Sequence, residues 1–309
     1  IIGVGEATIP SFVDLLKFLN INEQDFIVKT QATFKLGIKF VDWKIKGESY
    51  WHPFGVIGSK IDGKDFYQHW LKTIFHGNDW PLADFSPAAA MAQQERFFIP
   101  DPLRPNNLSK SAYALHFDAG LAAQYLAAYA ISKGVFHLKD EVVNVDLTPS
   151  EFIGELRLAS GQTIAADFFI DASGSHGLLI DKAMAVEYEN WSQYLPADTA
   201  VVIQSELTEK LSPYTTATAH EHGWRWEIPL QHRMGNGYVF SSQFVSKSKA
   251  AEQLIDNLGS NPCNDPRFIH FRRGKRQKIW YNNCLAVGLS SGFLEPLEST
   301  SIYLAMKGI

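Results

Sequence analysis

Trp224-Arg225-Trp226-Glu227-Ile228-Pro229 sets two indoles two residues apart, and Pro229 closes the segment. In an extended strand both rings leave from one face, giving a rigid aromatic wall of fixed length, or a half-buried strand with tryptophan as filler. Phe34-Lys35-Leu36-Gly37-Ile38-Lys39-Phe40 holds two lysines four apart among apolar neighbours. In a partly dry pocket a lysine donates a strong hydrogen bond as ammonium or, with its pKa lowered by desolvation, reacts as an amine; at a surface it only snorkels. Tyr50-Trp51-His52-Pro53-Phe54-Gly55 suits stacking on a flat ligand or packing on a core. Near the C-terminus the amides of Thr300 and Ser301 begin a helix and favour a small anion, with Ser299 or Thr300 serving equally as a plain cap. In Gly3-Val4-Gly5-Glu6-Ala7-Thr8-Ile9-Pro10 the glycines let backbone approach a flat ring closely, or form a turn before a helix capped by Thr8.

The elements that must position these residues follow from periodicity. Pro10 suits a first helical turn, with Phe12, Leu15, Leu16 and Leu19 on one face, and a second helix covers 23–33. Residues 38–45 alternate as a strand, and 64–76 and 118–133 read as amphipathic helices, the latter closed by Gly134. Period-two patterns then predict strands over 136–138, 141–147, 152–159 and 163–170, with Ser160-Gly161 as a turn, before Asp171-Ala172-Ser173-Gly174. Strands follow at 199–207, 214–228 and 236–246, then a helix at 249–258. Cys284–Leu289 has the apolar run of a buried strand and leads to a last helix from Leu297.

Composition narrows the function. The 309 residues suffice for one large core or two modest ones, and a net charge of −5 with no basic stripe argues against nucleic acid. The run Arg272-Arg273-Gly274-Lys275-Arg276 is short and flanked by aromatics, as at a solvated strand edge. Cys263 and Cys284 are too few for a disulfide framework and fit no zinc spacing, so no metal is expected. No apolar run approaches the ~18 residues of a membrane span, leaving a cytoplasmic setting as the default. The chain opens on Ile1-Ile2-Gly3, with neither methionine nor a signal-peptide pattern, and stops inside a helix, which reads as a fragment.

WRWEIP resembles the Trp-x-Trp-x-Ile-Pro signature of the flavin-dependent halogenases, the tryptophan halogenase family. Four more segments resemble the same family in the same order: Gly3–Pro10, Phe34–Phe40, Tyr50–Gly55 and Gly292–Tyr303, whose Glu295-Pro296-Leu297-Glu298-Ser299-Thr300 matches in full. The resemblance implies an α/β, FAD/NAD(P)-binding flavoprotein-monooxygenase-like fold (three-layer ββα) with a mixed β-sheet substrate region, truncated at both ends. No Gly-x-Gly-x-x-Gly follows a strand, and in the family that loop lies upstream of the segment that opens this chain. The expected organisation is a single incomplete module over 1–309, with 1–34, 110–175 and 276–309 on the FAD side and 35–109 and 176–275 on the substrate side.

By the same resemblance Lys35 is catalytic, orienting hypohalous acid or carrying the halogen as a haloamine, and Glu298 is the active-site carboxylate. Gly5, Glu6, Ala7, Thr8, Val142, Leu289 and Ile302 would contact FAD; Thr300 and Ser301 would bind halide; His52 and Phe54 would sandwich the substrate. Many tryptophan halogenases have glycine where this chain has Ser301. Trp224, Trp226 and Pro229 would line a tunnel that keeps the organic substrate from the flavin. The implied activity is chlorination or bromination of an electron-rich aromatic, using FADH2, oxygen and chloride or bromide. A separate flavin reductase would supply FADH2; the reading includes no membrane and allows a homodimer. A flavin-dependent aromatic hydroxylase and a non-catalytic flavoprotein-like domain are the alternatives. All of this presumes that Lys35 and Glu298 face a common cavity.

Overall fold

β-Branched and aromatic residues dominate a seven-stranded mixed sheet, ordered Arg267–His270, Thr199–Ser205, Met234–Phe240, Gly223–Pro229, Thr215–His220, Gly37–Val41, Ser49–Pro53. Thr215–His220 runs parallel to Gly37–Val41 and antiparallel to Gly223–Pro229. The computed structural model describes residues 6–309 apart from 102, 104, 105, 107 and 110. It divides into two compact units, Ile1–Tyr125 with Ala200–Ile269 and Leu126–Thr199 with His270–Ile309.

In the first unit, one side of the large sheet is closed by the helix Lys247–Asp256, which packs Ala250 and Leu254 on Val201, Ile203, Tyr238 and Phe240. A second, three-stranded antiparallel sheet is ordered Glu6–Ala7, Ala114–Phe117, Thr33–Lys35. The helix Ser11–Phe18 buries Phe12, Val13 and Leu16, and Glu23–Lys29 buries Phe26 beneath an Asn22 side-chain cap. Phe12, Phe26 and Phe117 meet with ring centroids 5.0–5.6 Å apart, a tilted and edge-on cluster that joins both helices to the small sheet.

The second unit contains a meander of Val142–Leu147, Ile153–Leu158 and Thr163–Ile164, and a sheet in which Phe169–Asp171 pairs parallel with Cys284–Ala286. Ile153, Phe169, Ile180 and Cys284 are among its core. The Asp171 carboxylate accepts the amides of Leu179 and Ile180 at 2.8 and 2.9 Å, fixing the turn after its strand.

Several expected elements differ. The single strand expected over 214–228 is a hairpin turning at Glu221-His222; Gly223 permits it, since a Cβ there would stand 1.9 Å from the Val239 carbonyl oxygen. The strand expected over 163–170 splits into Thr163–Ile164 and Phe169–Asp171, which belong to different sheets. The helix expected over 23–33 stops at Lys29 because Thr33 enters the small sheet opposite His116. Residues 136–138 form no strand. The last helix starts at Ser301 rather than Leu297, after Ser299 takes a left-handed φ of 58° that a helix cannot contain. Among the described residues no helix is long and apolar enough to cross a membrane, and no group of three or more His, Cys, Asp or Glu side chains could hold a metal.

Candidate active site

Lys35 ends the Thr33–Lys35 strand, and Gly37 begins the Gly37–Val41 strand, so the chain crosses from the small sheet to the large one at Leu36. That crossing is held from both sides: Leu36 N–H donates to the Pro213 carbonyl at 2.7 Å, and Phe54 N–H donates to the Leu36 carbonyl at 2.8 Å. Gly37 is required for it, because a Cβ would lie 2.4 Å from the His52 carbonyl oxygen. The result is a lysine with 0% of its surface exposed. Its Nζ donates to the Thr8 carbonyl at 3.0 Å and stands 5.3 Å from the centre of the Phe54 ring. Burying an ammonium costs several kcal/mol before partners offset it, so a fold gains little stability from placing one here. A carbonyl oxygen and a ring face are both suited to an amine or its cation.

The segment Glu6–Thr8, the short strand and the residue after it, carries three of the expected flavin contacts. Ala7 and Thr8 are buried, and burial pushes the Glu6 carboxyl up to about 7. Thr8 is not a helix cap: its hydroxyl donates to the Leu115 carbonyl at 2.7 Å, and the helix cap position is Pro10, which makes no side-chain bond. Gly5 lies outside the described residues. His52 sits on the outermost strand of the large sheet, exposed and in register with Ile38, while Phe54 is half-buried.

Trp224 and Trp226 are buried at 6% and 9% exposure on one face of their strand, with ring centroids 5.8 Å apart. Trp224 also approaches Trp43, whose indole N–H is committed to the Ala217 carbonyl at 2.9 Å. The Trp224 indole N–H has no hydrogen-bond partner among the described residues. Trp226 lies over Gly237, its cross-strand neighbour, where any Cβ would be 2.1 Å from the indole. The strand's end is tied to the lysine-bearing strand, since the Thr33 hydroxyl donates to the Pro229 carbonyl at 2.6 Å.

His116 was not expected from the sequence. Its ring is fully buried and bonded to two threonines, Thr33 and Thr215; burial, then the nearby Lys35 charge, holds its pKa well below the usual imidazole value. A lone histidine inside the apolar Ala114-Leu115-His116-Phe117 strand was the available signal.

The second unit carries the remaining expected residues. Glu298 is half-buried in a turn in which Ser299 N–H donates to the Pro296 carbonyl at 3.1 Å. Thr300 is the cap position of the helix Ser301–Gly308 and makes no side-chain cap bond, and Ser301 and Ile302 open that helix. The Gly288–Ser290 turn packs against the same helix and presents Leu289, 40% exposed. Gly288 has a left-handed φ of 64° with open space where a Cβ would be. An apolar ledge beside an unobstructed glycine fits the face of a flat ring such as isoalloxazine, so Leu289 and Ile302 are compatible with the flavin implied by the sequence. Val142 lies in the meander, opposite Leu158. Direct contact thus joins Lys35 with Thr8 and Phe54, and Trp224 with Trp226, within the first unit; Leu289 and Ile302 come from packed elements of the second.

Comparison with known proteins gives a consistent result. The profile of the tryptophan halogenase family matches residues 1–309. The chain is 36% identical to the 7-chloro-L-tryptophan 6-halogenase KtzR of Kutzneria sp. (strain 744), covering all of this chain and 64% of that protein. Its fold matches BrvH, a flavin-dependent halogenase from Brevundimonas sp. BAL3, with a TM-score of 0.94 and 44% identity over 98% of this chain and 62% of that one. Xcc4156, a flavin-dependent halogenase from Xanthomonas campestris, matches with a TM-score of 0.94 at 39% identity, over 99% of this chain and 62% of that one. The chain therefore has the α/β fold of these enzymes and spans less than two thirds of their length.

Proposed function

The chain belongs to the tryptophan halogenase family, and from that premise we propose that it carries the reaction centre of an enzyme that chlorinates or brominates an electron-rich aromatic. Tryptophan, the substrate in its relatives' names, and simple indoles are the first compounds to test. The observation that carries the reading is Lys35, a lysine with no exposed surface, on a strand tied to the end of the tryptophan wall. Reduced FAD, when bound, supplies the two electrons with which oxygen and halide give hypohalous acid and water.

Lys35 donates a hydrogen bond to the oxygen of hypohalous acid, making its halogen electrophilic, or, as the neutral amine, takes the halogen on Nζ with release of water and passes it on to the substrate. His52 and Phe54 sandwich the aromatic substrate, and Glu298 accepts the ring proton from the cationic arene after the carbon–halogen bond has formed. The amides of Thr300 and Ser301 hold the halide. Glu6, Ala7, Thr8, Val142, Leu289 and Ile302 hold the flavin, with the FAD side built from 1–34, 110–175 and 276–309. Trp224, Trp226 and Pro229 bar the organic substrate from the flavin and leave a channel for hypohalous acid. A separate flavin reductase supplies FADH2.

The experiment is Lys35→Ala in the complete protein, with FAD, a flavin reductase, oxygen, bromide and tryptophan or indole. Flavin oxidation should continue while brominated product, read by mass spectrometry, disappears. Product at normal yield removes Lys35 from the mechanism; hydroxylated product alone from the unaltered protein assigns the chain to the hydroxylases.

A further inference from the structure

His116 occupies the central strand of the small sheet, in register with Thr33 on one side and Ala7 on the other. Both neighbours lead to Lys35. Thr33 is two residues from it on the same strand, hence on the same face, and Ala7 precedes the residue whose carbonyl Lys35 bonds.

The proton positions follow from counting donors. Thr33 Oγ1 has one proton and lies 2.6 Å from the Pro229 carbonyl oxygen, which only accepts. Thr33 therefore donates to Pro229 and must accept from His116 Nδ1, 3.1 Å away. That places the ring proton on Nδ1 and leaves Nε2 to accept from the Thr215 hydroxyl at 2.9 Å. One buried ring thus binds the lysine-bearing strand, the end of the tryptophan strand through Thr33, and the Thr215–His220 strand of the large sheet.

We propose that His116 is a positioning residue for halogen transfer: its Nδ1–H bond to Thr33 fixes the strand that sets Lys35 against the Thr8 carbonyl and the end of the tryptophan wall. This rests on the reading that Lys35 handles the halogen. The imidazole touches no reacting atom in this role; it acts through Thr33.

Three measurements on the complete protein test it. Histidine-selective 15N NMR should show His116 protonated at Nδ1; protonation at Nε2 overturns the network. The Lys35 Cε resonance in 13C-lysine-labelled protein, assigned with Lys35→Arg, should move in His116→Ala and in the isosteric Thr33→Val, and stay near its normal position in His116→Asn. Asparagine places an N–H donor where Nδ1 stood. Brominated product per flavin oxidised should fall about tenfold in His116→Ala and Thr33→Val and recover to within about threefold in His116→Asn. An unmoved resonance in Thr33→Val, or an asparagine variant as impaired as alanine, refutes positioning. Should the unaltered protein yield no halogenated product while the resonances shift as stated, the proposed reaction falls and the positioning network stands.

Discussion

Gly237→Ala is the sharpest probe of the tryptophan wall. Gly237 is in register with Trp226, and a methyl added there would sit 2.1, 2.2 and 2.5 Å from three atoms of the indole. Ordinary contact begins near 3.4 Å, so the ring must withdraw by about 1.3 Å. The contacted atoms belong to a rigid bicycle that is 9% exposed and already 5.8 Å from the Trp224 ring, so it cannot swing aside cheaply. Overpacking of this kind costs about 1–3 kcal/mol. Urea unfolding should show that loss without a change in slope, and tryptophan fluorescence of the folded state should shift, because a buried indole has moved. In the complete enzyme the same variant should oxidise flavin normally while yielding less halogenated and more hydroxylated product, since the barrier is displaced and Lys35 is not. Unchanged stability with unchanged fluorescence would refute the packing argument. Lost stability with an unaltered product ratio would leave the wall as packing and deny it a partitioning role.

Four further outcomes are expected. Glu6 keeps its proton up to about 7 in the fold against 4.5 when unfolded, so the native state binds more protons between those values. Stability should therefore fall as pH rises from about 4.5 to about 7, by at most on the order of 3 kcal/mol, and Glu6→Gln should remove that slope in urea titrations at pH 5 and 8. His116 acts in the opposite sense: its folded-state pKa lies well below 6.5, so stability drops as pH falls below that value, and His116→Asn should flatten the acid limb. Lys35→Met removes the donor to the Thr8 carbonyl together with the buried amine and should cost no more than about 2 kcal/mol in urea unfolding, because the desolvation of the amine is relieved as its hydrogen bonds are lost; a larger loss would make Lys35 a structural residue. Glu298→Gln should slow product formation at least about tenfold in single-turnover assays, and an unchanged rate would confine Glu298 to its turn.

The tryptophan wall was legible because period-two spacing maps directly onto one sheet face, and both indoles are buried on it. The hairpin before it was not. Thr215–His220 holds only Thr, Ala and His, so its alternation is weak and the change of phase from Thr215 and Ala217 to Trp224, Trp226 and Ile228 is faint, and Glu221-His222 lacks the Asn-Gly or Asp-Gly signal of a two-residue turn. The depth of Lys35 was equally hidden. Its pattern fits a surface lysine, and burial comes from partners remote in sequence: Thr8, Phe54 and the Pro213 carbonyl that anchors the next residue. The His116 network joins residues 83 and 99 positions apart, and Thr33 to Pro229 across 196, distances at which local periodicity carries no information. The start of the last helix was misplaced because Leu297-Glu298-Ser299 has ordinary helical propensity, and only the left-handed Ser299 ends that run.

The wall and the lysine are linked by register more than by contact. At one end of the tryptophan strand, Gly223 lies so close to Val239 that no side chain fits; at the other, the Pro229 carbonyl receives the Thr33 hydroxyl. Between them Trp226 has room only because Gly237 is opposite. A shift of this strand by one residue would turn both indoles to the other face and move the Pro229 carbonyl away from Thr33. Thr33 would then have no acceptor, and the proton order that places N–H at His116 Nδ1 would no longer be required. The features that fix the wall's length therefore also fix the strand from which Lys35 projects, and selection on either one acts on both.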